Sequence, residues 1–296
     1  MGYSINVVDV FTDRPLSGNQ LAVVLDAEGI PDDAMQRIAR EMNFSETTFV
    51  LAPGNADNAA RVRIFNPAAE MPFAGHPTIG TAWVLFNEGR VPGGALEFNL
   101  EEGIGPVRVR GVRGPNGLTF WMTHPTVSFG NVTSDRAKAA TALGLDEHDL
   151  YGEVPIQVAS TGVPFAYVAL RDRRAVDTAI SEKERLAGVF REAVLLFAPL
   201  GNNRLYSRLF APHVFDIGED PATGSAGGPL GAFAVKYGLI PRAPKVSIIS
   251  EQGTKMLRQS FIHIDLEYPP EGDIPSRIEV GGSVVPTLKG DLAGGW

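Results

Sequence analysis

Two short segments of this 296-residue chain place an acidic side chain just before a glycine-rich turn. They read "EMPFAGHPTIG" over residues 70–80 and "EDPATGSAGG" over residues 219–228, and a polar side chain, His76 or Ser225, follows the matching glycine in each. Where such a turn becomes a helix, its unpaired backbone amides attract an anion such as a carboxylate. An acid placed nearby can move protons. Both segments therefore indicate binding of a small carboxylate and proton transfer on it.

Few acids could carry the proton. They are Glu70, Glu219 and Asp220 within the two segments, and Glu46 in "NFSETTFV". Glu46 follows a predicted helix and enters a strand that has no other reason to carry an acid. A lone Glu at such a junction is more often solvated or caps the helix, and either glycine turn by itself fits a plain helix start. The residue pattern alone leaves these alternatives open.

The two segments belong to a longer internal repeat, residues 63–89 and 208–238. Each copy begins with Arg, an aliphatic residue, Phe, any residue and Pro, and then continues with Glu, any residue, Pro, two residues and Gly. Four anchors recur at a constant offset of 149 residues: Glu70, Pro72, Gly75 and Gly89 match Glu219, Pro221, Gly224 and Gly238. A repeat of about half the chain predicts two pseudo-equivalent domains. We place them at residues 1–125 and 126–283, with residues 284–296 returning to the first domain as a strand.

The elements that must position these residues are short strands around one long apolar helix in each half. Segments such as "YSINVVDVF" and "ARVRIFNP" have the composition and the boundaries of strands. "PDDAMQRIAREMNF" predicts an amphipathic surface helix with Met35, Ile38, Ala39 and Met42 on one face. The helices that begin at the two glycine turns carry almost no charge, which predicts burial on all sides. We expect an α/β (α+β) protein of two pseudo-symmetric domains, each a barrel-like sheet wrapped around a central apolar helix.

Composition argues against several classes of function. The formal net charge is −8 and no cluster of Lys and Arg is present, so we expect no nucleic-acid partner. The chain shows no signal peptide and no apolar run of membrane length, which predicts a cytoplasmic protein. Without cysteine it has no disulfides or thiol chemistry, and its five scattered histidines lack metal-ligand spacing. Nucleotide-phosphate motifs are missing, and Thr223 stands where a serine-hydrolase elbow needs glycine. We expect neither a cofactor nor a metal.

Four segments in this order resemble the signature segments of the PhzF-like phenazine-biosynthesis family: "VDVFTDRPLSGNQLAVVLDA", "IAREMNFSETTFV", "PFAGHPTIGTA" and "EDPATGSAGGPL". The resemblance runs from about Val8 to Gly282 and covers nearly the whole chain. Proteins of that family are similar in fold to diaminopimelate epimerase, with the active site between two pseudo-symmetric domains. The resemblance implies a homodimeric, cofactor-free isomerase of trans-2,3-dihydro-3-hydroxyanthranilate, an enzyme of phenazine antibiotic biosynthesis whose only other partner is its small-molecule substrate.

The resemblance also implies roles for individual residues. The catalytic residues that it implies are Glu46, His76, Asp220 and Ser225. The substrate-binding residues that it implies are Ser45, Gly75 and Gly224. Glu46 would be the base that removes a proton from the ring carbon bearing the hydroxyl group and returns it to the carbon bearing the carboxylate.

Two other functions stay open at this stage. An isomerase of the same fold that acts on another small carboxylate would carry the same residues, because substrate choice depends on cleft walls that the sequence does not place. A small-molecule binding protein that has lost catalysis is the third reading. Glu46 argues against this third reading, since a binding protein gains little from a buried base.

Overall fold

A computed structural model describes residues 2–114 and 117–295 of the chain. The chain forms two compact units: unit 1 comprises Met1–Thr123 and Gly281–Trp296, and unit 2 comprises His124–Val280. The strands of unit 1 are β1 (Tyr3–Val10), β2 (Asn19–Val24), β3 (Glu46–Leu51), β4 (Ala60–Phe65), β5 (Glu70–Met71), β6 (Glu97–Glu102), β7 (Gly105–Gly114) and β8 (Gly117–Thr123). Its α-helices are α1 (Asp32–Met42) and α2 (Gly75–Asn87), and a short 3-10 helix covers Pro92–Gly94.

Unit 2 begins with an additional strand and helix and then follows a similar order of elements, with two short helices where unit 1 has α1. Its strands are β9 (Ser128–Val132), β10 (Gln157–Ser160), β11 (Pro164–Ala169), β12 (Ala193–Gly201), β13 (Arg204–Ala211), β14 (Ile217–Asp220), β15 (Lys245–Gln252) and β16 (Ser260–Glu267). Its helices are α3 (Arg136–Ala142), α4 (Arg173–Thr178), α5 (Lys183–Ala187) and α6 (Gly224–Lys236), with 3-10 turns at Glu147–Asp149 and Thr254–Met256. The last strand, β17 (Arg277–Leu292), begins in unit 2 and continues into unit 1.

The strand pairing shows the duplication directly. In unit 1, β1, β2, β3, β4, β6, β7, β8 and β17 pair in this order, and β17 pairs back to β1, which closes an eight-stranded barrel. In unit 2, the strands β9, β10, β11, β12, β13, β15 and β16 also pair in this order. The parallel pairs occupy matching places, β2–β3 and β4–β6 in unit 1 and β11–β12 and β13–β15 in unit 2. The predicted fold class is confirmed.

Helices α2 and α6 are the apolar helices of the repeat. α2 contacts β1, β2, β3 and β8, and α6 contacts β10, β11 and β16, each within its own unit. Every residue of α2 from Gly75 to Ala82 is buried, and so is every residue of α6 from Gly224 to Val235. A helix that lacks a polar face has no side to turn toward water. The expectation of burial is confirmed for the helix starts that carry the predicted site residues.

Helix α1 is the surface helix of unit 1. It follows Pro31, carries Asp32 and Asp33 in its first turn, and ends at Asn43 in the left-handed conformation. Its buried face includes Met35 and Ile38, as the sequence predicts. Because β2 and β3 are parallel, the chain has to cross over between them, and α1 is that crossover. None of the helices in residues 2–114 and 117–295 has the length and hydrophobicity needed to cross a membrane.

Candidate active site

Three segments of unit 1 that are distant in sequence meet at one end of parallel strands. Glu46 is the first residue of β3, and its register partner on β2 is Leu21. Asn19 begins β2 two residues earlier, so both polar side chains lie at the N-terminal ends of these strands. Helix α2 packs against β2 and β3, and His76 is its second residue. This arrangement brings Asn19, Glu46 and His76 together.

The hydrogen bonds of His76 define its protonation. Nδ1 lies 3.5 Å from Oε2 of Glu46 and 3.2 Å from Nδ2 of Asn19. Nε2 lies 3.2 Å from the backbone carbonyl oxygen of Gln20. Because a carbonyl only accepts, Nε2 carries the proton and Nδ1 accepts from the Asn19 amide. The residue is 3% exposed, and burial lowers the pKa of His76 to about 3. His76 is therefore neutral near pH 7 and turns an unprotonated nitrogen toward Glu46.

This pair of side chains suits proton transfer. The side chain of Glu46 is 14% exposed, so water has limited access to the carboxylate. A proton taken up on Oε2 would face Nδ1 of His76, which carries no hydrogen and so leaves room for that proton. The neutral imidazole does not itself take the proton, because its pKa is about 3. The geometry fits Glu46 as the group that exchanges a proton and His76 as its neutral neighbour.

The predicted residues of unit 2 lie where β14 leads into α6. Asp220 is the last residue of β14, and its Oδ2 accepts a hydrogen bond from Oγ1 of Thr223. Ser225 follows Gly224, the first residue of α6. Asp220 is 7% exposed and Ser225 is 8% exposed, so both polar groups are buried. The structure thus puts an acid and a hydroxyl beside the helix start, and their catalytic role stays a prediction.

The remaining predicted residues belong to unit 1. Ser45 lies in the bend directly before Glu46, and Gly75 is the first residue of α2. The residue before Gly75 is Ala74, an extended N-cap whose side chain cannot accept a hydrogen bond from the helix amides. These positions suit contact with a bound anion at the start of α2, which also stays a prediction.

Glu70 and Glu219, the other candidate acids, are each held by an arginine of the same repeat. Arg63 donates from Nε and Nη2 to the two carboxylate oxygens of Glu70, both at 2.7 Å. Arg208 donates in the same way to Glu219 at 2.9 and 2.7 Å. A carboxylate with both oxygens engaged by a guanidinium group is firmly oriented. We interpret these two pairs as anchors of β5 and β14 rather than as proton carriers.

Sequence reasoning missed the role of Asn19. The segment "SGNQLAVVL" stands out as part of the repeat, but nothing in it distinguishes this amide from a turn residue. The structure shows that Asn19 is 1% exposed and contacts Nδ1 of His76. A buried amide immediately before an apolar strand is the available signal, because buried polar side chains need a partner.

One surface group could offer metal ligands. Asp146, His148 and Asp149 have ligand atoms within 4.8 Å of one another in the 3-10 turn of unit 2. Asp149 is also paired with Arg171 at 3.2 Å, and Asp146 and His148 are exposed. We assign no metal to this turn.

A second buried histidine makes the protein sensitive to acid. His124 is 6% exposed, its Nδ1 lies 2.7 Å from Oγ1 of Thr161, and burial lowers its pKa to about 3, as for His76. Between pH 6.5 and about 3 the unfolded chain binds a proton at each of these histidines and the folded chain does not. The free energy of unfolding therefore falls as the pH falls through this window. Each histidine contributes up to about 1.4 kcal/mol per pH unit.

We expect His124→Asn to remove one such contribution. The shorter amide can still contact Thr161, and although it leaves a small void, the void lowers stability equally at every pH. Urea unfolding between pH 6 and pH 4 should show a slope about 1.4 kcal/mol per pH unit shallower than in the wild type. His148→Asn, at an exposed position, is the control and should keep the wild-type slope. An unchanged slope in His124→Asn would contradict the assignment.

Comparison with known proteins identifies the family of this chain. The family model described as phenazine biosynthesis-like protein, PhzC-PhzF, matches residues 8–290. A trans-2,3-dihydro-3-hydroxyanthranilate isomerase of Pseudomonas fluorescens is 34% identical over 97% of this chain and 98% of its own length. An uncharacterised isomerase of Deinococcus radiodurans is 35% identical over 93% of this chain and 90% of its own length.

The fold comparison leads to the same family. The crystal structure of a Bacillus anthracis phenazine biosynthesis protein of the PhzF family superimposes with a TM-score of 0.90 and 25% identity, covering 99% of both chains. The prediction of an isomerase is confirmed by the names of the relatives. The match of the family model over most of the chain, together with these identities, shows that this chain belongs to the phenazine biosynthesis-like protein family.

Proposed function

We propose that this protein isomerises trans-2,3-dihydro-3-hydroxyanthranilate by proton transfer through Glu46. The observation that carries the proposal is the contact between Oε2 of Glu46 and the unprotonated Nδ1 of His76, at 3.5 Å. It leaves a shielded carboxylate beside a neutral side chain that turns no hydrogen toward Oε2, so Oε2 can take up the proton that the reaction places on it. The Pseudomonas fluorescens relative, which bears this substrate in its name, supports the choice of substrate.

The proposed reaction moves protons and changes no oxidation state overall. Glu46 removes the proton from the ring carbon that bears the hydroxyl group, and the electron pair left behind spreads through the conjugated diene. The same proton, or one from solvent, is delivered to the ring carbon that bears the carboxylate, which leaves an enol. The enol becomes a ketone when its hydroxyl proton is lost and a neighbouring ring carbon gains one. Substrate and product have the same composition, as an isomerase requires.

The residues of unit 2 have supporting roles in this proposal. Asp220 would contact the positively charged amine of the substrate, and Ser225 would donate or accept a hydrogen bond. Their burial at 7% and 8% exposure would strengthen both contacts, because few waters compete for them. Ser45, Gly75 and Gly224 would bind the carboxylate through hydroxyl and amide donors. Assembly into a homodimer and a cytoplasmic location are further parts of the proposal.

The direct test is to incubate purified protein with trans-2,3-dihydro-3-hydroxyanthranilate in D₂O. We expect the absorbance of the conjugated diene to decay and NMR to show a new ring proton pattern. Deuterium at the carbon next to the carboxylate would show that the transferred proton exchanges with solvent. A sample without protein measures the spontaneous reaction.

Failure of the folded wild type to consume this compound would overturn the substrate assignment. The alternative is an isomerase of another small amino or hydroxy acid, which the uncharacterised Deinococcus radiodurans relative at 35% identity favours equally. This alternative activity would be recognised because the protein would catalyse deuterium incorporation into one member of a panel of such acids. A folded protein that binds members of the panel without exchange would instead be a binding protein.

A further inference from the structure

The last residue of β6, Glu102, is a buried carboxyl group beside the start of α2. It is 6% exposed, and its Oε1 lies 2.7 Å from Oγ1 of Thr78. The same hydroxyl oxygen lies 2.7 Å from the carbonyl oxygen of Ala74, the N-cap residue of α2. A hydroxyl group has one proton, and a carbonyl cannot donate. If Thr78 donates to Ala74, the hydrogen in the other contact has to come from Glu102.

The opposite assignment is unfavourable. If Thr78 donated to an ionised Glu102, the oxygens of Thr78 and Ala74 would face each other at 2.7 Å without a hydrogen between them. The second carboxyl oxygen, Oε2, has no hydrogen-bond partner within residues 2–114 and 117–295. A negative charge there would be buried without compensation. Burial accordingly raises the pKa of Glu102 to about 8.

The charged groups near Glu102 are engaged with one another. Glu102 lines a surface cavity of about 470 Å³ together with Arg61, Arg63, Glu70 and Glu101. Arg63 is paired with Glu70, and the positive charge of Arg61, the register partner of Glu101 across β4 and β6, lowers the pKa of Glu101. The neighbour from α2 is the uncharged Thr78. In the described part of the chain no cation forms an ion pair with Glu102 that would hold it ionised.

Unit 2 carries a neutral side chain at the corresponding place. The parallel pair β13–β15 has the register of β4–β6, so Glu101 corresponds to Glu251 and Glu102 to Gln252. The glycines that follow support this alignment, because each lies against the proline of its repeat. A Cβ atom on Gly103 would come within 2.7 Å of Pro72, and one on Gly253 within 2.5 Å of Pro221.

Gln252 holds the start of α6. It is 1% exposed, and its Nε2 donates to the carbonyl oxygen of Asp220 at 2.8 Å and to Oγ1 of Thr223 at 3.1 Å. Thr223 is the N-cap residue of α6, as Ala74 is of α2. A glutamine has nearly the shape of a protonated glutamic acid and, like it, offers both a donor and an acceptor. Gln252 is therefore neutral at every pH, whereas Glu102 has to be protonated to make the corresponding contacts in unit 1.

We propose that Glu102 works as a neutral carboxylic acid and is a positioning residue, which through Thr78 fixes the start of α2 and hence His76. Gln252 has the same positioning role at the start of α6. When Glu102 loses its proton, the single hydroxyl hydrogen of Thr78 turns toward the carboxylate, and the contact between Thr78 and Ala74 loses its hydrogen bond. The link to turnover rests on the proposed function, whereas the protonation of Glu102 is independent of it.

The test compares wild type with Glu102→Gln, and Glu101→Gln serves as the matched control. Glu101 is the preceding residue on β6, and hydrogen bonds from Asn58 and from two backbone amides keep its pKa low. The probe is trans-2,3-dihydro-3-hydroxyanthranilate. At pH 9 only about one Glu102 in eleven is still protonated, so wild-type turnover should be about tenfold lower at pH 9 than at pH 7. Glu102→Gln should keep the pH 7 rate within about twofold and lose the alkaline decline, and Glu101→Gln should retain the decline.

A second measurement does not depend on turnover. Between pH 4.5 and about 8 the folded chain binds a proton at Glu102 and the unfolded chain does not, so wild-type stability falls as the pH rises through this window and then levels off. The unfolding midpoint in urea should therefore shift upward in Glu102→Gln relative to wild type, and the shift should grow from pH 5 to pH 8.

Infrared spectroscopy detects the protonated acid directly. The band of a protonated carboxylic acid should be present in wild type at pH 6.5 and missing from Glu102→Gln.

These outcomes separate the two proposals. If wild type does not consume the probe but shows the infrared band and the pH-dependent shift, the substrate assignment fails and the neutral Glu102 stands. If the band is absent from wild type, or the shift between the two proteins is the same at pH 5 and pH 8, Glu102 is ionised and the inference is wrong. An alkaline decline that persists in Glu102→Gln would overturn its positioning role.

Discussion

Replacing Glu46 by Gln is expected to lower turnover by a factor of about 10² to 10⁴, the usual contribution of a positioned acid or base. The amide has the shape of the carboxylate but cannot take a proton from carbon. His76 cannot replace it, because burial holds its pKa at about 3 and its Nδ1 already accepts from Asn19. Initial rates from the decay of the diene absorbance measure the effect, and Glu46 should no longer deliver deuterium to the ring carbon that bears the carboxylate.

The controls for this prediction separate chemistry from folding. Glu41→Gln removes the same charge from the exposed end of α1 and should leave turnover unchanged. Glu46→Asp keeps a carboxylate but draws it back by one methylene group, so turnover should fall between wild type and Glu46→Gln. All variants should unfold at nearly the wild-type midpoint. Retention of more than a tenth of the wild-type rate by folded Glu46→Gln would show that another group is the base.

Replacing Arg208 by Met is expected to destabilise the protein by about 3 to 5 kcal/mol, as when one partner of a buried ion pair is removed. The side chains of Arg208 and Glu219 are only 9% and 15% exposed. Nη1 of Arg208 also donates to the carbonyl oxygens of Val176 and Ala179. The variant leaves a carboxylate and two carbonyl groups poorly solvated and without their donor. Urea unfolding at pH 7 should show the lower free energy of unfolding.

The repeat supplies the matched control. Arg63 makes the equivalent pair in unit 1, but its partner Glu70 is 45% exposed and can be hydrated when Arg63 is lost. Arg63→Met should therefore cost only about 1 kcal/mol. Adding Glu219→Leu to Arg208→Met should recover part of the stability, because the unpaired charge disappears. Equal losses in Arg208→Met and Arg63→Met would contradict the dependence on burial.

The internal repeat made the fold predictable from the sequence. Its anchors mark both central helices, and the apolar composition of those helices predicts the burial that the structure shows. Glu46 and His76 were named through the family resemblance, and the structure places them 3.5 Å apart. The resemblance could not supply the tautomer of His76, which depends on a carbonyl of β2 that any residue could provide.

Other features escaped sequence reasoning for physical reasons. Asn19 reaches His76 because α2 packs against β2, and no local pattern encodes that contact. The correspondence of Glu102 and Gln252 is hidden because an acid and an amide look like different chemistry. They become equivalent when burial keeps the acid protonated. The ion pairs of Glu70 and Glu219 were likewise invisible, since an acid in a motif does not reveal whether it is already bound.

The course of β17 has a consequence for the order in which the protein can be made. The barrel of unit 1 closes where β1 pairs with β17, from Tyr3 opposite Leu292 to Val10 opposite Val284. During synthesis residues 284–292 leave the ribosome only after Val280, the residue with which unit 2 is complete. Domains generally fold as they are made. Unit 1, although most of it is translated first, must wait for β17, so its barrel closes only after unit 2 has been made.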